Sequence, residues 1–372
     1  MYSPRAFFSY IVFEGSSLLP RIPDSTMDKQ KKALLALSLD ELKSVVQGMS
    51  MPAFSAKQIA DWLYKKRVTS ISQMTNLSLA NRNRLDEEYE VGCHEPIQTT
   101  VSKDGTKKYL FEVHGGFVES VMIPDGDRCT LCVSTQVGCK MGCKFCATGK
   151  QGFHGQLSAM DILNQIQSVP ESKELTNIVF MGMGEPFDNT DNVLRVLDVL
   201  TSETGYAWSP KRVTVSTVGL IPGMLRFLSE SQCHLAVSLH NPIAEERAEM
   251  MPAQKAFPIA RVLEEIKKYD FTGQRRVSFE YTMFEGVNDQ QRHVDALARL
   301  LSGLECRVNL IRFHTVPDTP YKGASMQRME WFRDQLNRKG VVTTIRKSRG
   351  EDILAACGLL STQKVSDQKN LK

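Results

Sequence analysis

The chain lacks any long hydrophobic run. None of its apolar stretches approaches the roughly 18 residues that a membrane-spanning helix needs. Residues 2–19 contain neither the apolar core nor the small-residue cleavage site of a secretory signal peptide. A strong excess of one charge is also missing, since 46 Lys and Arg stand against 42 Asp and Glu, a formal net charge of +4. The sequence thus predicts no membrane-spanning helix, and its charge permits a nucleic-acid partner without requiring one.

The chain also lacks an even number of cysteines, which a full set of disulfides would need. The chain has nine cysteines, and with no secretory signal we expect a reducing, cytoplasmic compartment in which disulfides do not persist. Met27 opens a charged segment that looks like an ordinary cytosolic start. We therefore expect residues 1–26 to be a disordered tail or a mis-annotated start, and residues 363–372 to be a disordered tail.

A fourth ligand is missing from the most informative loop of the chain. Cys139, Cys143 and Cys146 occur in Gly-Cys-Lys-Met-Gly-Cys-Lys-Phe-Cys, a C-x3-C-x2-C spacing. Four thiolates would saturate a zinc ion or a cubane cluster. Three leave one iron of a 4Fe-4S cluster open to S-adenosylmethionine (SAM), which radical-SAM chemistry needs. The loop alone leaves two alternatives open: a zinc site completed by a distant His or Cys, and three unliganded thiols.

The N-terminal part of the sequence has a helical pattern. Apolar residues recur every three or four positions within residues 34–63, and Ser38 and Ser55 are candidate N-caps. We predict a helical accessory domain, with a role in RNA binding, over residues 27–95. Residues 96–126 alternate apolar and polar side chains on either side of a Gly-Gly turn, which predicts a β-hairpin linker.

Strands and helices alternate over residues 127–362. This α/β alternation is typical of a parallel sheet with crossover helices, in which ligands gather at the carboxyl ends of the strands. The first strand leads directly into the three-cysteine loop, so we expect the cluster at that end of the sheet. The predicted strands span residues 130–134, 177–181, 212–216, 235–239, 277–282, 308–313 and 342–346.

Small and polar residues follow the next three predicted strands. Met-Gly-Met-Gly-Glu-Pro, residues 181–186, has two glycines that let a backbone approach closely, followed by the carboxylate of Glu185, which suits the ammonium group of SAM. Ser216 ends the third strand, and residues 238–240 end the fourth. Each of these is by itself more often an ordinary turn. Together, at the ends of successive strands, they predict a SAM site.

These motifs together resemble the RlmN family. Its members are radical-SAM methyltransferases that place a methyl group on C2 of an adenine in 23S rRNA and, in many cases, in tRNA next to the anticodon. The resemblance runs from residue 28 to residue 360. It implies a partial six-stranded (β/α) radical-SAM barrel behind the helical domain, and a reductant such as flavodoxin or ferredoxin; we also expect a monomer. The matching segments are residues 131–139, 181–186, 238–240, 309–311 and 355–358.

The resemblance also implies which residues bind the cofactors. It assigns Cys139, Cys143 and Cys146 as ligands of the 4Fe-4S cluster. His314 stands where the family usually has an Asn, and an imidazole can also donate or accept a hydrogen bond. The residues that it implies around SAM are Gly184, Glu185, Ser216, Ser238, Leu239, His240 and His314.

Two cysteines outside the cluster have roles that only the resemblance implies. C2 of adenine is electron-poor, so a polar methyl transfer finds no nucleophile there, whereas a carbon radical can add. In the implied mechanism one SAM methylates Cys357, and a second SAM, reduced at the cluster, turns that methyl group into the radical that adds to C2. After electron loss, Glu119 accepts the proton that the adduct gives up. Cys132 then attacks the sulfur of Cys357 to release the product. Without the resemblance, Cys132 is typical of a buried strand and Cys357 of a turn.

Two other functions stay open. A Cfr-type enzyme methylates C8 of the same adenine and has a similar cysteine loop, but Pro186 and residues 346–352 favour the C2 enzyme. A zinc-stapled, non-catalytic RNA-binding protein would use the same three cysteines. The residues that we predict to contact the RNA backbone are cations of the helical domain: Lys57, Lys65, Lys66 and Arg67.

Overall fold

The computed structural model describes residues 31–271, 273, 275–316 and 319–362. The predictions for residues 1–26 and 363–372 concern segments outside these ranges. Within the described residues, no helix is long and apolar enough to cross a membrane.

A group of short helices begins the described chain. Ser38 caps the first of them with a capping box, because its Oγ accepts the N–H of Glu41 and its own N–H donates to the Glu41 carboxylate. The second helix starts at Ser55 with Phe54 as its N-cap, so the prediction of Ser55 as a cap is wrong; its side chain is buried instead. The elements are β1 (Lys32–Ala33), α1 (Leu39–Gly48), α2 (Ser55–Ala60) with a π-helical turn (Asp61–Lys65), a 3-10 turn (Ile71–Gln73), α3 (Leu79–Glu88) and β2 (Tyr89–Glu90).

Ten strands form the main sheet. Three antiparallel strands at one edge are followed by seven parallel strands, in the order β3-β4-β5-β6-β9-β10-β11-β12-β13-β14, while β7 and β8 pair separately. The parallel part therefore has one strand more than the six that the resemblance implies. The strands are β3 (Gln98–Val101), β4 (Lys107–Val113), β5 (Gly116–Asp125), β6 (Arg128–Cys132), β7 (Gln136–Gly138), β8 (Phe153–Gln156), β9 (Asn177–Phe180), β10 (Val213–Thr217), β11 (His234–Ser238), β12 (Val277–Met283), β13 (Arg307–Arg312) and β14 (Thr343–Ile345).

Helices connect the parallel strands. Their apolar faces pack in the same core as the strands. Helix α7 has Pro222 and Gly223 in its first turn, where proline is tolerated because its missing N–H has no partner within the helix. The helices are α4 (Ala147–Gln151), α5 (Ala159–Gln167), α6 (Thr190–Thr201), α7 (Ile221–Glu230), α8 (Ala244–Met250), α9 (Ile259–Ile266), α10 (Gln291–Leu300) and α11 (Met326–Arg338).

The strand β10 shows how the sheet directs side chains toward a site. Val213 and Val215 are fully buried on one face. Because successive side chains of a strand point to opposite faces, Ser216 points to the other face. The same alternation along neighbouring strands brings hydroxyl and imidazole groups together at one end of the sheet.

Candidate active site

A pocket opens at the carboxyl ends of the parallel strands. It collects residues from the cysteine loop, from the ends of five strands and from the C-terminal segment. The predicted site residues that line it are Cys139, Cys143, Cys146, Gly184, Glu185, Ser216, Ser238, His240 and Cys357.

The cysteine loop winds tightly between β7 and α4. The N–H of Cys146 donates to the carbonyl of Cys143 at 3.1 Å, and the N–H of Cys139 donates to Gly152 at 2.8 Å. A Cβ on Gly149 would lie 3.0 Å from both the N and the O of Cys143, so any larger residue would require the turn to shift by a few tenths of an ångström. The loop thereby turns all three cysteines toward the pocket.

The three thiols form a donor set that fits an iron–sulfur cluster. Burial raises the pKa of Cys139 to about 12 and also raises the pKa of Cys143 and Cys146, so bound metal is needed to hold them as thiolates. Among the described residues, no three Cys, His, Asp or Glu side chains are grouped around a position for one metal ion. A 4Fe-4S cluster takes each thiolate on a separate iron, and all three cysteines line the same pocket.

Arg247 of α8 is a buried cation that the sequence analysis missed. Its side chain is fully buried, and its charge lies close enough to Cys143 to oppose the rise in that thiol's pKa. It ties together the loops that follow β10 and β11. In sequence it follows Glu245-Glu246, which is typical of an exposed helix face. Its guanidinium donates hydrogen bonds of 2.6–3.0 Å to the carbonyls of Val218, Ser238 and Leu239 and to the side chain of Gln254.

Glu185 is a buried carboxylate at the pocket wall. Its Oε2 accepts the N–H of Val218 at 2.9 Å, and its Oε1 accepts the N–H of Phe187 at 3.2 Å. Its own N–H donates to Oε1 of Gln136 at 2.8 Å. Burial raises the pKa of Glu185 to about 7. The carboxylate is therefore fixed in place and ionises near neutral pH.

His240 is a neutral imidazole held in one orientation. Its backbone has φ of 53°, in the left-handed region, and its Nδ1 accepts the N–H of Thr282 at 2.9 Å. Burial lowers the pKa of His240 to about 3, so the proton of the neutral ring is on Nε2. Asn288 donates to the His240 carbonyl at 2.6 Å, and Phe145 of the cysteine loop packs edge-on against the ring, 5.0 Å between centroids.

Cys132 and Cys357 lie close to one another. Cys132 ends β6 and is buried, while Cys357 is an exposed residue that lines the pocket. Burial raises the pKa of Cys132 to about 12, and the thiol of Cys357 adds to this rise. The Arg346 guanidinium interacts electrostatically with both thiols. It also lies 3.4 Å from Oε2 of Glu280, whose Oε1 accepts Nδ2 of Asn309 at 2.8 Å.

The segment that carries Cys357 is anchored on both sides. Before it, the Asp352 carboxylate accepts Oγ of Ser102 at 2.5 Å. After it, the carbonyl of Leu360 accepts Oγ1 of Thr148 at 2.7 Å. Cys357 therefore sits on a short span between two fixed points.

Four predicted residues lie outside the pocket lining, and Cys132 is one of them. Leu239 is fully buried and offers its carbonyl to Arg247. The Glu119 carboxylate lies 2.9 Å from Nζ of Lys108 and accepts the N–H of Ser361 at 3.0 Å; burial raises its pKa and Lys108 opposes this rise.

His314 lies beside the loop that follows β14. Its Nδ1 is 2.9 Å from the Glu351 carboxylate, and its Nε2 is 2.6 Å from Oγ of Ser348. Glu119 and His314 thus contact the chain on either side of Cys357, and their predicted roles toward the proton and SAM stay predictions.

Comparison with known proteins matches two parts of the chain to families. Residues 133–298 match the family model "Radical SAM superfamily", and residues 32–91 match "Ribosomal RNA large subunit methyltransferase N-terminal domain". The chain is 57% identical over 346 residues to "Probable dual-specificity RNA methyltransferase RlmN" of Phocaeicola vulgatus, covering 93% of this chain and 99% of that protein.

Two more distant proteins agree with this match. "Dual-specificity RNA methyltransferase RlmN" of Marinobacter nauticus is 39% identical over 89% of this chain and 93% of its own. The crystal structure of a radical SAM methyltransferase from Sphaerobacter thermophilus superposes with a TM-score of 0.83 at 38% identity, over 88% of this chain and 99% of that one. With the pocket, the cysteine loop and the two further thiols in place, the chain belongs to the RlmN family of radical-SAM methyltransferases, enzymes that use a 4Fe-4S cluster and SAM.

Proposed function

We propose that this protein methylates C2 of an adenine in 23S rRNA, in the peptidyl-transferase region, and in tRNA next to the anticodon. The relatives are named as dual-specificity RNA methyltransferases, which supports two RNA substrates. The observation that carries the proposal is that Cys132 lies beside Cys357, which lines the same pocket as the cysteine loop. A simple metal staple or a polar methyltransferase has no use for this second pair of thiols.

Cys357 and Cys132 have separate roles in the proposed mechanism. When bound, the cluster and two SAM molecules supply a methyl group and a radical that abstracts hydrogen. Cys357 carries the methyl group and is joined through it to C2 of the adenine. The adduct would first give up one electron to the bound cluster and one proton to Glu119. The Cys132 thiolate then attacks the sulfur of Cys357, the bond from that sulfur to the linking carbon breaks, and the carbon takes up a proton to complete the methyl group. The disulfide that remains between the two cysteines is then reduced.

The surrounding residues hold the reacting groups in the proposed mechanism. Glu185 binds the ammonium of SAM, and the hydroxyls of Ser216 and Ser238 and the Nε2–H of His240 offer hydrogen bonds at the same wall. Glu119 takes up the proton released from the adduct, and its pKa, raised by burial, makes it a better base than an exposed carboxylate. We propose that the protein acts as a cytoplasmic monomer with a reductant such as flavodoxin or ferredoxin.

Product analysis tests the proposed function. The anaerobically reconstituted protein is incubated with SAM, a reductant and either a 23S rRNA fragment or tRNA, and the nucleosides are identified by mass spectrometry against standards. We expect 2-methyladenosine in both RNAs. The Cfr-type alternative gives 8-methyladenosine, and a zinc-stapled binding protein gives neither product and contains zinc instead of iron and sulfide; any of these outcomes would reject the proposal.

SAM binding is expected to weaken below pH 7. The folded protein holds the pKa of Glu185 near 7, above its ordinary value, because the group is buried. Below that pH the carboxyl is neutral, so binding the SAM ammonium requires loss of a proton and affinity falls by about tenfold per pH unit. Equilibrium dialysis between about pH 6 and 8 measures this slope. Glu185→Gln should bind weakly at every pH, and a flat profile for the unaltered protein would contradict the prediction.

A further inference from the structure

We propose that a basic groove next to the active-site pocket binds backbone phosphates of the RNA strand that carries the target adenine. This inference rests on the proposed function and names how the same site holds its substrate. The groove lies where β13 and β14 end and α11 begins. Its lining includes four cations, Arg312, Arg346, Lys347 and Arg349.

Two of the four cations have no carboxylate partner among the residues that the structure describes. Arg346 pairs with Glu280 at 3.4 Å, and Arg349 pairs with Asp125 at 2.7 Å. Within the described part of the chain, Arg312 and Lys347 form no ion pair, and both are exposed. The groove thus has about two positive charges available for an anion.

The acidic residue at the groove lowers this charge to about one net positive charge without cancelling it. Asp104 also lines it, but its carboxylate accepts the N–H of Thr106 at 2.9 Å and the N–H of Gly350 at 3.0 Å. These bonds orient its oxygens toward backbone donors of the adjoining loops. The first residue of α11, Met326, lines the groove as well, and the positive end of the helix dipole there favours an anion further.

The groove and the pocket share a wall. Arg346 lines the groove, and Glu280, its ion-pair partner, lines the pocket. An enzyme that acts on a base must extrude it from the stack, and it holds the flanking backbone by its phosphates. A base that enters the pocket from this side brings its sugar–phosphate backbone over Arg312 and Lys347.

The cations of the helical domain are less available than the sequence predicts. Arg67 donates to the carbonyl of Ser172, and its guanidinium lies 5.1 Å from the ring centroid of Tyr206 and 5.4 Å from that of Trp208. The Lys66 ammonium is 3.5 Å above the ring of Trp62. These two side chains are committed within the protein, which moves the expected phosphate contacts toward the groove.

A double charge substitution tests the groove. In Arg312→Gln/Lys347→Gln, we expect the KM for RNA to rise about tenfold and the slope of log Kd against log salt to fall by about 1.5, the value for two lost phosphate contacts. Binding is measured on the full-length protein with a tRNA anticodon stem-loop, between about 50 and 200 mM salt. SAM affinity is measured alongside. If the double variant does not fold, the single substitutions carry the test, and each is expected to lower the slope by half as much as the double substitution.

A matched control removes the same charges elsewhere. Lys211 and Arg212 are exposed in the 3-10 turn that precedes β10, at the opposite end of the sheet from the pocket. Lys211→Gln/Arg212→Gln should leave both the KM and the slope unchanged. A third variant, Lys57→Gln/Lys65→Gln, tests the helical domain as the source of the contacts.

The outcomes separate this inference from the proposed function. If the unaltered protein methylates RNA but the groove variant keeps its KM and its salt slope, the groove is not a phosphate site while the proposed function stands. A loss confined to the helical-domain variant, or one equal in the groove and control variants, likewise overturns the inference. If the unaltered protein methylates neither RNA, the proposed function itself fails.

Discussion

Replacement of Cys357 by alanine is expected to lower RNA methylation by about a thousandfold or more, to background, because no other residue at the pocket can carry the methyl group to the adenine. Replacement of Cys132 should have a different result. Its thiol lies beside Cys357, and in the proposed mechanism it resolves the bond between protein and RNA, so Cys132→Ala should form that bond and fail to break it. Denaturing gel electrophoresis of reactions with labelled RNA would show the trapped adduct as a slower band.

A third cysteine serves as the control for these two variants. Cys306, next to the start of β13, is half-buried and does not line the pocket, so Cys306→Ala should methylate RNA at the ordinary rate without forming an adduct. Normal turnover by Cys357→Ala would remove the cysteine from the reaction. A Cys132→Ala variant that releases methylated RNA would show that another group resolves the adduct.

The parts of the site that the sequence predicts are those set by local pattern. The C-x3-C-x2-C spacing confines three thiols to one loop. The alternation of strands and helices along the chain places that loop at the carboxyl ends of the parallel sheet, where the structure has it. A different alternation, that of side chains along one strand, explains the position of Leu239. Ser238 points into the pocket, and because the next side chain of an extended chain points to the opposite face, Leu239 is packed in the core.

The parts that the sequence does not predict depend on contacts between distant segments. Arg247 is buried only because the loops after β10 and β11 close over it with three backbone carbonyls. Glu119 and His314 lie beside the C-terminal segment because of the path that this segment takes between Asp352 and Leu360. Arg312 and Lys347 share a groove because β13 and β14 are neighbours. No local spacing encodes these placements.

Gly184→Ala is expected to weaken SAM binding by about a hundredfold, an effect of about 3 kcal/mol. Gly184 has φ of 101°, and a Cβ there would lie 2.6 Å from Cβ of Gln136 and 2.8 Å from its backbone N. The backbone atom cannot move aside as a flexible side chain can. Alanine would therefore force the loop after β9 away from the start of β7 and carry Glu185, whose N–H donates to Gln136, out of position.

The matched control is Gly126→Ala in the turn between β5 and β6. Gly126 also has a positive φ, of 58°, but a Cβ there would meet no atom within 4 Å. It bears the backbone strain of about 1 kcal/mol without the collision, so its SAM affinity should be unchanged. Isothermal titration with SAM on both reconstituted variants measures the difference. Equal affinities would mean either that the two loops separate without moving Glu185 or that another group holds the SAM ammonium. A loss confined to Gly184→Ala would show that the contact between these loops positions the carboxylate.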